Sequence, residues 1–337
     1  MINVNSKSIS QKESITVQFL YDNCKDKFKL KLFSDESGFE RKIYEQNLHR
    51  PGLALAGFVD LFSFSRVQVF GNTEMQYLFH LSDEKKEESL KRLFQFDIPC
   101  IILTDNNEPF DKLLELANQN HVPVFGSPHS TTKTVYLIGD YLDDQFSPRI
   151  SIHGSFIDVY GVGVLFVGKS GVGKSEVALD LVERGHRLVA DDLIILTKKG
   201  ESILMGSGTR LGKHFMEIRG LGIIDIERMF GIRAIRFQKR LEIVVELEVW
   251  SDKGEYTRTG LEESTVSILD VDIPYVKLPI LPGKNLTVIS EVISLNYLLK
   301  HFGYDSAKVF EKRLIEKIQN KNQDDFRGVD YFEHDFE

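Results

Sequence analysis

The sequence predicts an α/β protein in two parts: a small N-terminal α/β domain and a C-terminal P-loop domain built on a mixed sheet. Three observations carry this expectation. Residues 168–175 read Gly168-Lys169-Ser170-Gly171-Val172-Gly173-Lys174-Ser175 and satisfy G-x-x-x-x-G-K-[ST] at every specified position. Before them, Val162-Gly163-Val164-Leu165-Phe166-Val167 is short and almost wholly apolar, as a buried strand is, and after them Glu176–Arg184 carries a helical period. Upstream, short apolar runs alternate with amphipathic ones, the pattern of a partly parallel sheet.

Each position of the loop has a physical task. Glycines let successive backbone N–H groups turn inward around phosphate oxygens, Lys174 reaches the β- and γ-phosphates, and the Ser175 hydroxyl suits Mg²⁺. The following helix is expected to bury Ala178, Leu181 and Val182 and to stop at Gly185, where a left-handed residue is favoured.

The remaining elements follow in chain order. Residues 1–145 form the expected N-terminal domain, with a binding or assembly role that its residues do not specify. Arg66–Phe70 reads as a strand followed by polar, helix-like residues through Arg92. Pro99–Thr104 reads as a strand leading into an amphipathic helix at Phe110–Ala117, and Val122–Gly126 as the next strand. The boundary is placed in the polar stretch Asp140–Pro148. Residues 146–320 form the P-loop domain, beginning with a strand over Arg149–Tyr160. After the loop helix, Arg187–Ala190 delivers Asp191 and Asp192 to a strand end, where metal or base chemistry belongs. Leu241, Ile243, Val245, Leu247 and Val249 alternate with Glu242, Val244, Glu246, Glu248 and Trp250, which predicts an antiparallel strand with one buried face. Ala307, Phe310, Leu314 and Ile318 predict a helix docked by an apolar stripe, with Lys308, Lys312, Arg313 and Lys317 in solvent. Residues 321–337 read as an acidic, loosely held tail.

Composition narrows the classes. The chain has 337 residues, 42% hydrophobic and 27% charged, which fits a folded soluble protein. A formal net charge of −8 provides no general field for a polyanion, so nucleic acid is not an expected partner. Cys24 and Cys100 stand far apart with no metal-binding spacing and are expected to be packing residues. No stretch approaches the roughly 18 apolar residues of a membrane span, and the start Met1-Ile2-Asn3-Val4-Asn5-Ser6-Lys7 lacks a secretory apolar core. Cytoplasm is the expected address, with no membrane partner.

Four segments occur together in order: Ser151-Ile152-His153-Gly154, the phosphate loop, residues 184–192 (Arg-Gly-His-Arg-Leu-Val-Ala-Asp-Asp) and residues 216–225 (Met-Glu-Ile-Arg-Gly-Leu-Gly-Ile-Ile-Asp). With residues 256–261 and 279–285, and more weakly residues 50–57, they resemble the bacterial HPr kinase/phosphorylase family. That resemblance implies a P-loop kinase domain that phosphorylates a regulatory serine of the phosphocarrier protein HPr. It also implies removal of that phosphate by inorganic phosphate, with release of pyrophosphate, and a homohexamer of two trimer layers. It implies ATP as donor, with pyrophosphate as the alternative, and Mg²⁺. By the same resemblance Lys174 holds the phosphates, Ser175 and Glu217 hold Mg²⁺, and Arg258 stabilises charge on the transferring group. Asp192 is implied as base and acid in the two directions, with His153 beside it.

Two departures from the family pattern bear on the chemistry. Lys169 stands where an acidic residue is usual, and Leu281 and Lys284 stand where arginines are usual. Leucine offers phosphate nothing and lysine a point charge without the arginine fork, so the phosphorylase direction is the more weakened expectation. The residues by themselves also admit a P-loop kinase with another protein or small-molecule acceptor, and a nucleotide sensor without transfer.

Overall fold

In the N-terminal part, short segments form a five-stranded sheet whose four parallel strands are each followed by a helix. Leu48–His49, Val67–Phe70, Ile101–Leu103 and Val124–Gly126 run parallel, and Lys31–Leu32 closes one edge antiparallel. The computed structural model describes residues 9–209, 211–250, 264–281 and 283–319. The chain divides there into a unit over Ile9–Arg149 and a second from Ile150 onward.

The polar stretch after Phe70 makes two helices, Asn72–His80 and Asp83–Phe94, because the Ser82 hydroxyl accepts from Lys85 N and starts the second. Helix faces and strands close one core around Phe70, Leu78, Leu90, Leu103 and Leu113. The opposite sheet face packs Val67, Ile102 and Phe125 against Leu20, Cys24, Ile138 and Leu142. Cys24 and Cys100 are buried free thiols, and burial pushes each up to about 12, which leaves them inert packing groups. Asp140–Phe146, in the stretch expected to hold the boundary, is the last part of a helix over Thr131–Phe146.

The second unit is built on β1 (Arg149–Val159), β2 (Val162–Gly168), α1 (Lys174–Glu183), β3 (Arg187–Lys199) and β4 (Ile203–Gly208). It continues through β5 (Phe215–Ile218), β6 (Gly222–Asp225), α2 (Ile226–Phe230), β7 (Gln238–Arg240), β8 (Ile243–Val249), β9 (Ser264–Ile268) and β10 (Val271–Ile280). Helices α3 (Leu286–His301) and α4 (Ser306–Gln319) complete the described part. The main sheet runs β7-β4-β3-β1-β2-β8-β10-β9, and β5 and β6 form a separate hairpin. The sheet is mixed: β1–β2, β3–β4, β4–β7 and β9–β10 pair antiparallel, while β2–β8 and β8–β10 pair parallel.

One face of the sheet packs Val164, Phe166, Val245 and Leu247 against Val177, Ala178, Leu181 and Val182 of α1 and the half-buried apolar residues of α3. Full burial of a side chain such as Phe166 contributes about 2–3 kcal/mol. The expected end of α1 is also observed. Gly185 takes φ +97°, its N–H donates to Val182 O at 2.9 Å, and His186 N donates to Leu181 O at 3.0 Å, a Schellman turn.

Two expectations are corrected. The strand at 243–249 is parallel to both neighbours, and Val244 is buried in the core of the opposite face. Its alternation arises because Glu246 and Glu248 lie where that opposite face is only partly covered, not from antiparallel pairing. The helix at the end of the described chain forms, but its stripe is uncovered: Phe310 is 67% and Ile318 58% exposed. Its period specified an amphipathic helix, whereas α3 already occupies the apolar face of the sheet that such a stripe could cover. The predicted tail lies outside the described residues.

Candidate active site

Strand β2 ends at Gly168, in register with Leu247 of β8, so the loop leaves the carboxyl edge of neighbouring parallel strands. Ligands gather at such edges because the following helix N-termini and loop amides converge there. Gly168, Gly171 and Gly173 adopt φ of +143°, +77° and +101°, conformations that side-chain-bearing residues rarely take. A Cβ on Gly168 would stand 2.4 Å from Leu247 O, whereas one on Gly173 would meet nothing within 4 Å. The first glycine is therefore needed for close strand packing, and the last faces open space. Lys169 and Ser170 are exposed. The Lys174 ammonium donates to the carbonyls of Gly168 at 3.3 Å and Lys169 at 3.2 Å, which folds it back over the loop it would serve.

The two aspartates of β3 occupy different environments. Asp191 is buried and accepts from Ser155 Oγ at 2.5 Å and Ser175 Oγ at 2.9 Å. Burial is the largest influence and pushes its carboxyl up from the ordinary value, the serine bonds oppose that, and the Asp192 charge adds to it. Asp192 takes φ +66°, a left-handed residue that interrupts the strand's alternation, and its side chain is 76% exposed. His153 of β1 is equally open at 78%, with Nδ1 3.4 Å from Asp192 Oδ1.

The β5–β6 hairpin packs against α1 and β3 by burying Met216 and half-burying Ile218, which leaves Glu217 between them exposed. In the turn between β5 and β6, Arg219 reaches the phosphate loop: a Cβ on Gly171 would stand 2.9 Å from Arg219 Nη1. Leu281 is half-buried and Lys284 exposed just beyond β10. Arg258 lies outside the described residues. The structure thus brings together the loop, Ser175, Asp191, Asp192 and His153. Ser155 and Arg219 join them without having been singled out from sequence. A serine on an alternating strand carries no signal until its partner is known, whereas Arg219 had one in its place beside Gly220 and Gly222.

The donor set fits Mg²⁺. The Ser175 hydroxyl at the start of the helix is a hard oxygen ligand of the kind this ion takes beside phosphate oxygens and water, and Asp191, which accepts from it at 2.9 Å, orients it. Among the described residues no group of three or more His, Cys, Asp or Glu gathers for a metal.

A strand, glycine loop and helix at a parallel-strand edge, with this oxygen ligand and an exposed carboxylate beside it, is the arrangement of a P-loop phosphotransferase. Residues 144–314 match the family model described as HPr Serine kinase C-terminal domain, and residues 15–142 match the HPr Serine kinase N terminus. The HPr kinase/phosphorylase of Chloroherpeton thalassium is 55% identical over 332 residues, covering 97% of this chain and 98% of that protein. That of Prosthecochloris aestuarii is 50% identical, covering 100% of both. The chain belongs to the HPr kinase/phosphorylase family. A solved structure of the Hpr(Ser) kinase/phosphatase from Coxiella burnetii is 34% identical, covering 48% of this chain and 97% of its own, with a TM-score of 0.43. Among the described residues no helix is long and apolar enough to cross a membrane.

Proposed function

We propose that this protein transfers the γ-phosphoryl group of ATP to the regulatory serine of HPr in the cytoplasm, and catalyses the reverse phosphorolysis by inorganic phosphate. The observation that carries this reading is the split between the two aspartates, one buried against the helix-start hydroxyl, the other exposed where a protein hydroxyl can approach. In the forward direction the Asp192 carboxylate accepts the proton of the acceptor hydroxyl as that oxygen bonds to phosphorus and the bond to the β-phosphate oxygen breaks. In reverse, a phosphate oxygen attacks phosphoserine, the serine–phosphorus bond breaks, Asp192 returns the proton to the serine oxygen, and pyrophosphate leaves. His153, beside Asp192, holds its carboxylate toward the acceptor. Loop amides and Lys174 bind the phosphates, and Arg258 is assigned to the transferring group. Ser175 and Glu217 would hold Mg²⁺, with Asp191 orienting the serine hydroxyl. When bound, Mg²⁺ neutralises phosphate charge. A homohexamer is part of the same reading.

The test is incubation with Mg²⁺, γ-labelled ATP and HPr from the same organism, beside HPr with its regulatory serine changed to alanine. Label on the serine form alone, released as pyrophosphate when phosphate is added, is the expected result. Nucleotide binding without label on HPr would overturn the assignment of the acceptor.

A further inference from the structure

Along β1 the side chains alternate between the two faces of the sheet. On the face toward α1 the series runs from Val159 and Ile157, buried in the core that α1 shares, through Ser155 to the exposed His153. Ser155 is therefore the residue at which the apolar core gives way to the site, and it is fully buried. The sheet order sets β1 between β3, which carries the two aspartates, and β2, which delivers the phosphate loop. A hydroxyl shut away from water at such a point needs an acceptor among its neighbours.

Asp191 is that acceptor. Ser155 Oγ donates to Asp191 Oδ1 at 2.5 Å, and Ser175 Oγ donates to Asp191 Oδ2 at 2.9 Å. The Asp192 backbone N–H also donates to this carboxylate, but it belongs to the next residue of the same strand and ties β3 to no other element. The two serines come from β1 and from the first turn of α1, so one carboxylate links three elements with one hydroxyl on each oxygen. The terminal torsion of an aspartate is soft and roughly two-fold. One hydroxyl leaves the carboxylate free to turn, whereas a hydroxyl at each oxygen fixes its plane. A hydroxyl that ligates a cation turns its proton away from the ion. With Oδ2 held as its acceptor, Ser175 directs its proton to Asp191 and keeps its lone pairs for the metal. Groups that orient a metal ligand from behind in this way change metal affinity by about 10–100-fold.

We infer that Ser155 is a positioning residue of the phosphotransfer site: its hydroxyl holds one oxygen of Asp191 and so keeps the other on the Ser175 hydroxyl, which is thereby presented to Mg²⁺. The inference rests on the Mg²⁺-dependent kinase reading given above. The full chain, Ser155→Ala, Ser175→Ala and the double variant are compared by calorimetric ATP binding, once with Mg²⁺ and once with EDTA, in the absence of any acceptor. In Ser155→Ala the Kd for ATP with Mg²⁺ rises about tenfold while that in EDTA stays within about twofold. Adding Ser155→Ala to Ser175→Ala changes neither constant by more than about twofold, because the two residues act through one chain of contacts. Ser155→Cys, of nearly the same shape and a weaker donor, moves the Mg²⁺ constant in the same direction and carries the test if Ser155→Ala does not fold. A folded Ser155 variant with the wild-type response to Mg²⁺, an equal loss with and without Mg²⁺, or a full further loss in the Ser175→Ala background overturns the inference. A wild-type protein that binds ATP with Mg²⁺ but labels no HPr overturns instead the functional reading and leaves the binding comparison in force.

Discussion

A carboxylate that takes a proton from an incoming hydroxyl must reach solvent, whereas one that orients a metal's hydroxyl ligand need not. Asp192 meets the first condition and Asp191 the second, although they are adjacent in the chain. Changing Asp192 to Asn is expected to lower labelled transfer in both directions by about 10²–10⁴-fold, with a melting temperature close to wild type because the side chain is exposed. At Gly171, alanine meets both a positive φ and the Arg219 guanidinium. That substitution is expected to cost more than about 1 kcal/mol in the loop's conformation, read by calorimetry as weaker ATP binding. The loop was legible from sequence because its specified positions lie within eight residues of one another. Ser155 was not, because its partner Asp191 lies 36 residues away and only strand pairing brings them together.

Local signals set the elements, and packing set how they pair. The end of α1 was legible in Gly185, whose left-handed conformation a side chain would strain; Gly185→Ala is expected to destabilise the protein by about 1 kcal/mol, measured by denaturant unfolding. The direction of β8 was not legible, since alternation reports which residues face a core and not which way the neighbouring strand runs. Glu291 of α3, which accepts from Arg184 and His186 just beyond the end of α1, adds a pH dependence with a definite sign. Arg184, the largest influence, and His186 hold Glu291 below its ordinary value against the opposing effect of burial. Its contribution to stability is therefore present above that value and lost as pH falls through the lower folded value. Thermal melts should show wild type more stable than Glu291→Gln at neutral pH, with the gap closing below about pH 4.

At the scale of the molecule, the units over Ile9–Arg149 and from Ile150 onward each bury separate apolar cores. Calorimetry is expected to show two transitions. Mg²⁺-ATP at about 100 times its Kd should stabilise the second unit by about 2.7 kcal/mol and leave the first unmoved; a shift of both would show that they unfold as one. By itself the sequence determined the α/β class, the phosphate loop with its strand and helix, the pair of aspartates and the family, because each is written in contiguous residues whose spacing has a direct conformational meaning. Only the tertiary structure decided that Asp191 is buried while Asp192 is open, that Ser155 and Arg219 belong to the site, that β8 runs parallel, and that the stripe of α4 is uncovered. These depend on which distant segments share a volume, and the excluded space and hydrogen-bonding demands of a packed interior settle that only when the whole chain is in place.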